Sequence, residues 1–371
     1  MRFSRPSYHG DCVSLAKNSI SRADIDTSEH FTLKSMRKND SRQGSNFSAM
    51  NAPIILIHYG NSSFLPYVVQ LIKRFNPRKE LLFLGDESND YLREFGATHL
   101  NYSEYAYGPE LQCFDRLYPR IENPRYGKRQ WANFIIRRWF IINQFTKSNH
   151  IDRFWTFDSD NYLLTDLAKF EDKFSCFDCT SQCKGNCLNG FVPHREIVQL
   201  YVEKINELIG REGYAEDWQR RYRRKPDLFY TEMEAFDTFV KEGDINSHHL
   251  AGVVDGSAFE DSITYIQDGM EMYEKKIKGR YVKKLYLKSG EIFCRHLASG
   301  QFVKMNNLNL SWMPKYVFPL LFGAVVRAPV TDDFVPVDLL KAPVSYHIKY
   351  CVARCVPVWV RDRIRRGAYW V

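Results

Sequence analysis

"RFWTFDSDNYLL", residues 153–164, decides the fold of this chain. An aromatic, apolar run leads in, Asp158 and Asp160 follow with one serine between them, and an apolar pair leads out. Two carboxylates two residues apart at the end of a strand repel each other unless a cation lies between or beside them. Side chains two apart share a face in a regular strand, and in the turn just after it they also converge on one ion. Hard oxygen ligands favour Mg²⁺ or Mn²⁺, which keep positions open for phosphate oxygens. The implied job is to hold a diphosphate and neutralise it as it departs. The same residues also read as an ordinary polar turn, because Asp and Asn favour turns.

Working towards the N-terminus, "QWANFIIRRWFIINQFTKS" (130–148) spaces Trp131, Ile135, Trp139, Ile142 and Phe145 as one face of a helix. Before it, "APIILIHYG" reads as a buried strand ending at Gly60. "SSFLPYVVQLIKRFN" reads as a helix with Pro66 in its first turn. "ELLFLGDESND" is a second strand ending in Asp86. The opening is therefore β-α-β, the start of a three-layer α/β/α, Rossmann-like domain with a mixed, mainly parallel sheet. Ligands of such sheets sit at the carboxyl ends of the strands. His58, Gly60, Asn61 and Asp86 fall there, and so do Asp158 and Asp160. An ordinary strand-to-helix turn accounts equally for the first three, and a helix cap for Asp86.

Towards the C-terminus, "PHREIVQLYVEKINELIG" (193–210) and "YTEMEAFDTFVKEG" (230–243) look helical and each ends in glycine. "KKLYLKSGEIFCRH" reads as a hairpin turning at Ser289-Gly290. Residues 1–49, with ten serines and no sustained apolar period, look like a disordered tail, and Met36 and Met50 are alternative starts. Residues 50–310 form the α/β domain on this reading, and 311–371 a basic, apolar extension interrupted by proline.

The chain has 371 residues, 44% of them hydrophobic, which suffices for a sizeable core. Its formal charge of +8 suits an anionic partner such as a nucleotide, a phospholipid surface or an acidic glycan, and also serves solubility. No motif supports a nucleic-acid partner. The longest apolar run, Tyr316 to Val326, has 11 residues, short of the roughly 18–20 of a spanning helix. No signal peptide is read at the N-terminus, and nine cysteines in such a chain suit a reduced, cytoplasmic setting. In the tail, "IKYCVARCVPVWVRDRIRRGAYWV" pairs basic residues with Trp and Val, as a segment lying against the inner face of a membrane does. A segment docked on the core has the same composition.

The β-α-β start, the strand-end Asp86, "NFIIRRWFIINQF" and then "FWTFDSDNYLL" resemble nucleotide-sugar glycosyltransferases of the GT-A fold. "EIFCRHLASGQFVKM" is similar to the His-x-x-Gly-x-x-Lys signature of family 8 of these enzymes. The resemblance spans about residues 52–310. It implies a Mn²⁺- or Mg²⁺-dependent enzyme moving a sugar from a nucleotide-diphosphate donor, a UDP-sugar above all, to a glycan or lipid-linked acceptor. It makes Asp158, Asp160 and His296 the metal ligands and Lys304 a diphosphate contact, with Gly300 in the turn between. It places the nucleoside near Asp86. Arg138, on the helix before the aspartates, is in reach of the diphosphate or sugar on this reading.

An inverting enzyme also needs a base for the acceptor hydroxyl. "FYTEMEAFDTF" offers Glu232, Glu234 and Asp237, and "VVDGSAFEDS" offers Asp255, Glu260 and Asp261. Glu232 and Asp255 are the preferred candidates. Cys176, Cys179, Cys183 and Cys187 lie close enough in sequence to suggest zinc, but structural zinc sites usually join two separated knuckles, so buried or incidental thiols are the preferred reading. "KFSCFDCTS" reads as a strand that points its two cysteines to opposite faces. "WQRRYRRKPD" is read as a solvated helix face, with an electropositive rim for an anionic acceptor as its functional alternative. Two other functions compete with the transferase: a non-catalytic nucleotide or glycan binder on the same fold, and a haloacid-dehalogenase-like phosphatase, whose Asp-x-Asp motif "FDSDNY" superficially resembles.

Overall fold

The computed structural model describes residues 52–266 and 268–341. The serine-rich tail and the basic C-terminal segment "IKYCVARCVPVWVRDRIRRGAYWV" lie outside the described residues. The fold is α/β, with mixed sheets that include parallel strands. The first sheet is built from β1 (Ile54–Ile57), β2 (Leu81–Gly85), β3 (Thr98–Asn101), β4 (Phe154–Thr156) and β8 (Gly190–Val192). Its order is β3-β2-β1-β4-β8. β1 runs parallel to both β2 and β4, β2 parallel to β3, and only β8 is antiparallel. The chain therefore steps outwards from β1 to β3, then returns to lay β4 on the other side of β1. That reversal opens a crevice between the carboxyl ends of β1 and β4.

Four of the helices fall where the sequence reading places them. α1 (Leu65–Phe75) carries Pro66 in its first turn and buries Leu65, Val68, Val69, Leu71 and Ile72. α2 (Pro109–Ile121) was not anticipated, and a 3₁₀ segment, Glu87–Phe95, follows β2. α3 (Arg129–Ser148) buries Trp139, Ile142 and Phe145. α4 (Ala168–Phe174) supplies Glu171, which accepts from Trp155 Nε1 at 3.2 Å and pairs with the buried Lys79. α5 (Glu196–Gly210), α6 (Tyr214–Arg224) and α7 (Glu232–Glu242) complete this side of the molecule.

A second sheet is mixed. β5 (Asn161–Leu163) pairs antiparallel with the long β13 (Phe302–Asn309), which also pairs with β10 (Ser257–Phe259) and β12 (Glu291–Arg295). β11 (Leu285–Lys288) and β12 form the expected hairpin. Ser289 (φ 50°) and Gly290 (φ 82°) are both left-handed at its tip, as a tight two-residue turn requires. β6 (Cys179–Gln182), β7 (Cys187–Leu188) and β9 (Ser247–His249) make a small third sheet.

A boundary at residue 310 does not describe the molecule. α8 (Val317–Val326) buries Val317, Phe318 and Leu321 in the same core as Ile54, Phe83 and Leu308. Phe318 stacks on Phe64 at 4.4 Å, and its carbonyl accepts from Tyr162 Oη at 2.8 Å. β14 (Val335–Pro336) adds a short strand to β11. Residues 311–341 are thus part of the folded unit, because their apolar side chains are needed to cover α1 and β5. Among the described residues, no helix is long and apolar enough to cross a membrane.

Candidate active site at the carboxyl edge of the sheet

β4 ends at Thr156, and the chain turns at once. The Asn161 backbone N–H donates to the Asp158 carbonyl at 3.0 Å, so Asp158, Ser159 and Asp160 form the bend between β4 and β5. The parallel register sets this bend beside the end of β1, where His58 Nδ1 meets Ser159 Oγ at 2.7 Å. Burial, with a smaller contribution from the Lys315 charge, lowers the His58 pKa to about 4 against the opposing pull of Asp86. The imidazole is therefore neutral at pH 7.

The two aspartates have different partners. Asp158 Oδ1 accepts from Arg138 Nη1 at 2.5 Å, and Arg138 Nη2 donates to Glu232 Oε1 at 2.7 Å. Burial works to lower the Arg138 pKa, but the Asp158 and Glu232 charges outweigh it and raise it above its ordinary value. Burial raises the Glu232 pKa and Arg138 opposes the rise. Asp160 has no ion-pair partner among the described residues, although the Arg138 charge acts on it from a distance. Its Oδ1 is buried and accepts no hydrogen bond from them. Burial first, and the Asp158 charge second, push its pKa up to about 7, while the Ser311 hydroxyl works the other way. An orphaned carboxylate oxygen beside a second carboxylate is a site short of positive charge.

The segment after β13 closes the site. Leu310 N–H donates to the Asp160 carbonyl at 3.1 Å, and Asn307 Nδ2 donates to Asn161 Oδ1 at 2.7 Å. Lys315 follows on the surface, close enough to act on His58 and without an ion-pair partner among the described residues. Sequence reasoning missed Ser159, Ser311 and Lys315. Only the pairing of β5 with β13 brings the last two to the aspartates. Below the site, the Cys187 thiol is pushed up by its contact with Cys183, by burial and by the Asp158 charge.

A 500 Å³ pocket also opens alongside α3, lined by Tyr59, Tyr102, Arg129, Gln130, Asn133, Phe134 and Arg137 among others. Tyr59 follows β1 and Tyr102 follows β3, so the pocket belongs to the same carboxyl edge. Asp86 is near enough to raise the Tyr102 pKa, although burial contributes more. Asp86 itself caps the 3₁₀ segment, accepting from Ser88 N–H at 2.9 Å. Gly60 and Asn61 tie this edge together: the Gly60 carbonyl accepts from Asn89 Nδ2 at 3.1 Å, and Asn61 Nδ2 donates to the Ser88 carbonyl at 3.0 Å.

Three expected site residues are elsewhere. His296 lies beyond the β12 end of the hairpin, its Nδ1 3.1 Å from Ser299 Oγ and its ring against Gly269. Lys304 pairs with Glu291 and lines a separate 350 Å³ pocket with Arg74, Arg78 and Lys169. It sits near the start of β13, five residues before Asn309, which at about 3.3 Å per residue is roughly 17 Å along the strand from the aspartates. The four-residue steps from His296 to Gly300 and from Gly300 to Lys304 build a hairpin end, not a ligand loop. Asp255 is 79% exposed, left-handed at φ 52°, and paired with Lys173 at 2.6 Å. Its neighbour Ser257 is in register with Lys304, so it belongs to that same distant end.

The other motifs also take definite positions. Cys176 is not in a strand: it is exposed after α4, its thiol donating to the Lys173 carbonyl at 3.6 Å, whereas Cys179 is buried at the start of β6. No group of three or more His, Cys, Asp or Glu among the described residues is arranged to hold a metal ion. The basic stretch lies on α6 and the residue after it, where Arg220 and Arg221 both pair with Asp217 on the exposed helix face. The chain matches no protein-family model, and a search of curated proteins finds no match.

Proposed function

We propose that this protein is a metal-dependent glycosyltransferase of the GT-A type, taking a nucleotide-diphosphate sugar, foremost a UDP-sugar, as donor and a glycan or lipid-linked molecule as acceptor. The observation that carries the reading is the unpartnered, buried Oδ1 of Asp160 beside Asp158 at the switch point of a 3-2-1-4 parallel sheet. Two carboxylates without a third protein ligand suit Mn²⁺ or Mg²⁺, which bind through one or two carboxylates and complete their shell with phosphate oxygens and water. Such an ion, when bound, offsets the charge that gathers on a departing diphosphate.

The chain's own groups support the same chemistry. Lys315 offers a cation to phosphate oxygens at the edge where His58 and Ser159 meet. His58, being neutral, adds no competing charge there. Arg138 spans Asp158 and Glu232 and fixes the first carboxylate in one orientation, which makes Glu232 a positioning residue for Arg138. The 500 Å³ pocket has the aromatic walls and polar rim that suit a nucleoside.

The test is calorimetric binding of UDP, GDP and CMP, each with and without Mn²⁺, to the wild type and to Asp158→Ala/Asp160→Ala. Mn²⁺-dependent binding of one nucleotide, lost in the double variant, supports the reading and identifies the base. Absence of binding by all three nucleotides, with and without the ion, overturns it.

A further inference from the structure

Trp312 stands on a strained backbone. Met313 N–H donates to the Leu310 carbonyl at 3.0 Å, closing a four-residue turn whose third position is Trp312 at φ 69°. Glycine or asparagine normally occupies that position, since a bulky side chain there clashes with its own backbone. The ring gains little burial in exchange, because Trp312 is 57% exposed. Strain held for so small a packing return points to a use on the surface.

The surroundings show what that use is. Trp312 meets Trp131 edge to face at 6.3 Å, Trp131 meets Phe229 at 5.4 Å, and Phe229 stacks on Tyr126 at 4.5 Å. Trp131, Phe229 and Tyr126 are all partly exposed. The Arg280 guanidinium lies over the Trp312 ring at 5.5 Å. Each of three segments supplies one aromatic to this ledge and one group to the candidate active site. On α3, Trp131 precedes Arg138 by two turns on the same helix face, which is roughly 10 Å at about 1.5 Å per residue. Phe229 comes three residues before Glu232. Trp312 directly follows Ser311, whose hydroxyl acts on Asp160.

We infer that Tyr126, Trp131, Phe229 and Trp312 form an acceptor platform that stacks a pyranose ring beside the aspartate pair. The inference rests on the transferase reading and deepens it by assigning the acceptor as a saccharide, not a lipid chain. Exposed aromatic rings pair with the apolar C–H face of a sugar, while an adjoining guanidinium satisfies its hydroxyls. The platform adjoins the pocket proposed for the nucleoside: Tyr126 and Phe229 line a small cleft together with Tyr118, Glu122 and Arg129, which also line that pocket.

The experiment titrates maltotriose, cellotriose and tri-N-acetylchitotriose into the full-length protein labelled with 5-fluorotryptophan, with Mn²⁺ and UDP present, and follows the ¹⁹F resonances. At least one saccharide should move the Trp312 signal, with its affinity falling tenfold or more in Trp312→Ala and in Trp131→Ala. UDP affinity in the presence of Mn²⁺ should stay within twofold in Trp312→Ala. Trp312→Gly should lose the saccharide while melting at the same temperature or higher, which a residue kept for packing would not do. Failure of all three saccharides to perturb the wild type overturns the platform, even if UDP still binds. Loss of UDP binding in Trp312→Ala also overturns it, because the ring would then serve the donor. Trp312-dependent saccharide binding in a protein that binds no nucleotide would support the platform and remove the transferase reading instead.

Discussion

Arg138 reaches from the middle of α3 to Asp158 at the end of β4, 2.5 Å between Nη1 and Oδ1, and its other Nη holds Glu232 at 2.7 Å. One buried guanidinium thus joins a helix, a strand end and the first turn of α7. Removing it leaves two acidic groups in a low-dielectric setting with nothing between them. Arg138→Met should cost about 3–5 kcal/mol of stability. Urea denaturation measures this, and Arg138→Met/Glu232→Leu should recover part of the loss because the uncompensated buried carboxylate goes with it.

Asp160 should show the opposite balance. Its charge is disfavoured by burial and by Asp158, so neutralising it relieves the fold. Asp160→Asn is expected to melt at the same temperature as the wild type or above it. Mn²⁺-dependent UDP binding should nevertheless fall by more than the roughly 10–100-fold that changes outside a metal's immediate ligands produce. Differential scanning calorimetry and isothermal titration on one sample separate the two effects.

His58 gives the stability a pH dependence of definite sign. Its pKa is about 4 in the folded protein against 6.5 for an unperturbed histidine. Between those values the unfolded chain binds the extra proton, so the contribution is complete above pH 6.5 and is lost as pH falls towards 4. The shift corresponds to about 3 kcal/mol at most. His58→Gln should flatten this part of the stability curve, measured by urea midpoints from pH 4 to 7.5.

Lys315 and Lys304 distinguish the two ends of β13. Lys315→Ala should weaken UDP binding in Mn²⁺ by roughly 10- to 100-fold, the usual worth of a charged hydrogen bond to phosphate. Its exposure means little change in melting temperature. Lys304→Ala and His296→Ala should leave nucleotide and Mn²⁺ affinity as they are, since both side chains belong to the far hairpin end. Equilibrium titration of the three variants decides this.

Much of the first sheet was legible in the sequence. The periodicity of α1 and α3, the apolar strands β1 and β2, and the turn at Ser289-Gly290 are all local patterns, and each appears where the spacing places it. The Asp158-x-Asp160 bend was legible for the same reason, being a strand end read directly from adjacent residues. α2 was missed, as was the separate strand β5, whose three residues are too short to show a period. The division at residue 310 failed because proline and basic residues in the sequence looked like an extension, whereas α8 covers α1 and β5 with Phe318 and Leu321.

The sequence by itself determined the local elements and the pair of carboxylates at a strand end, because these depend on neighbours within one or two turns of chain. The tertiary structure decided who surrounds that pair. Arg138 and Glu232 are 94 residues apart, and Asp160 and Ser311 meet only because β5 pairs with β13. A motif such as His296 to Lys304 can look right in spacing and still face another way, since strand direction and register are set by long-range pairing that spacing along the chain does not encode.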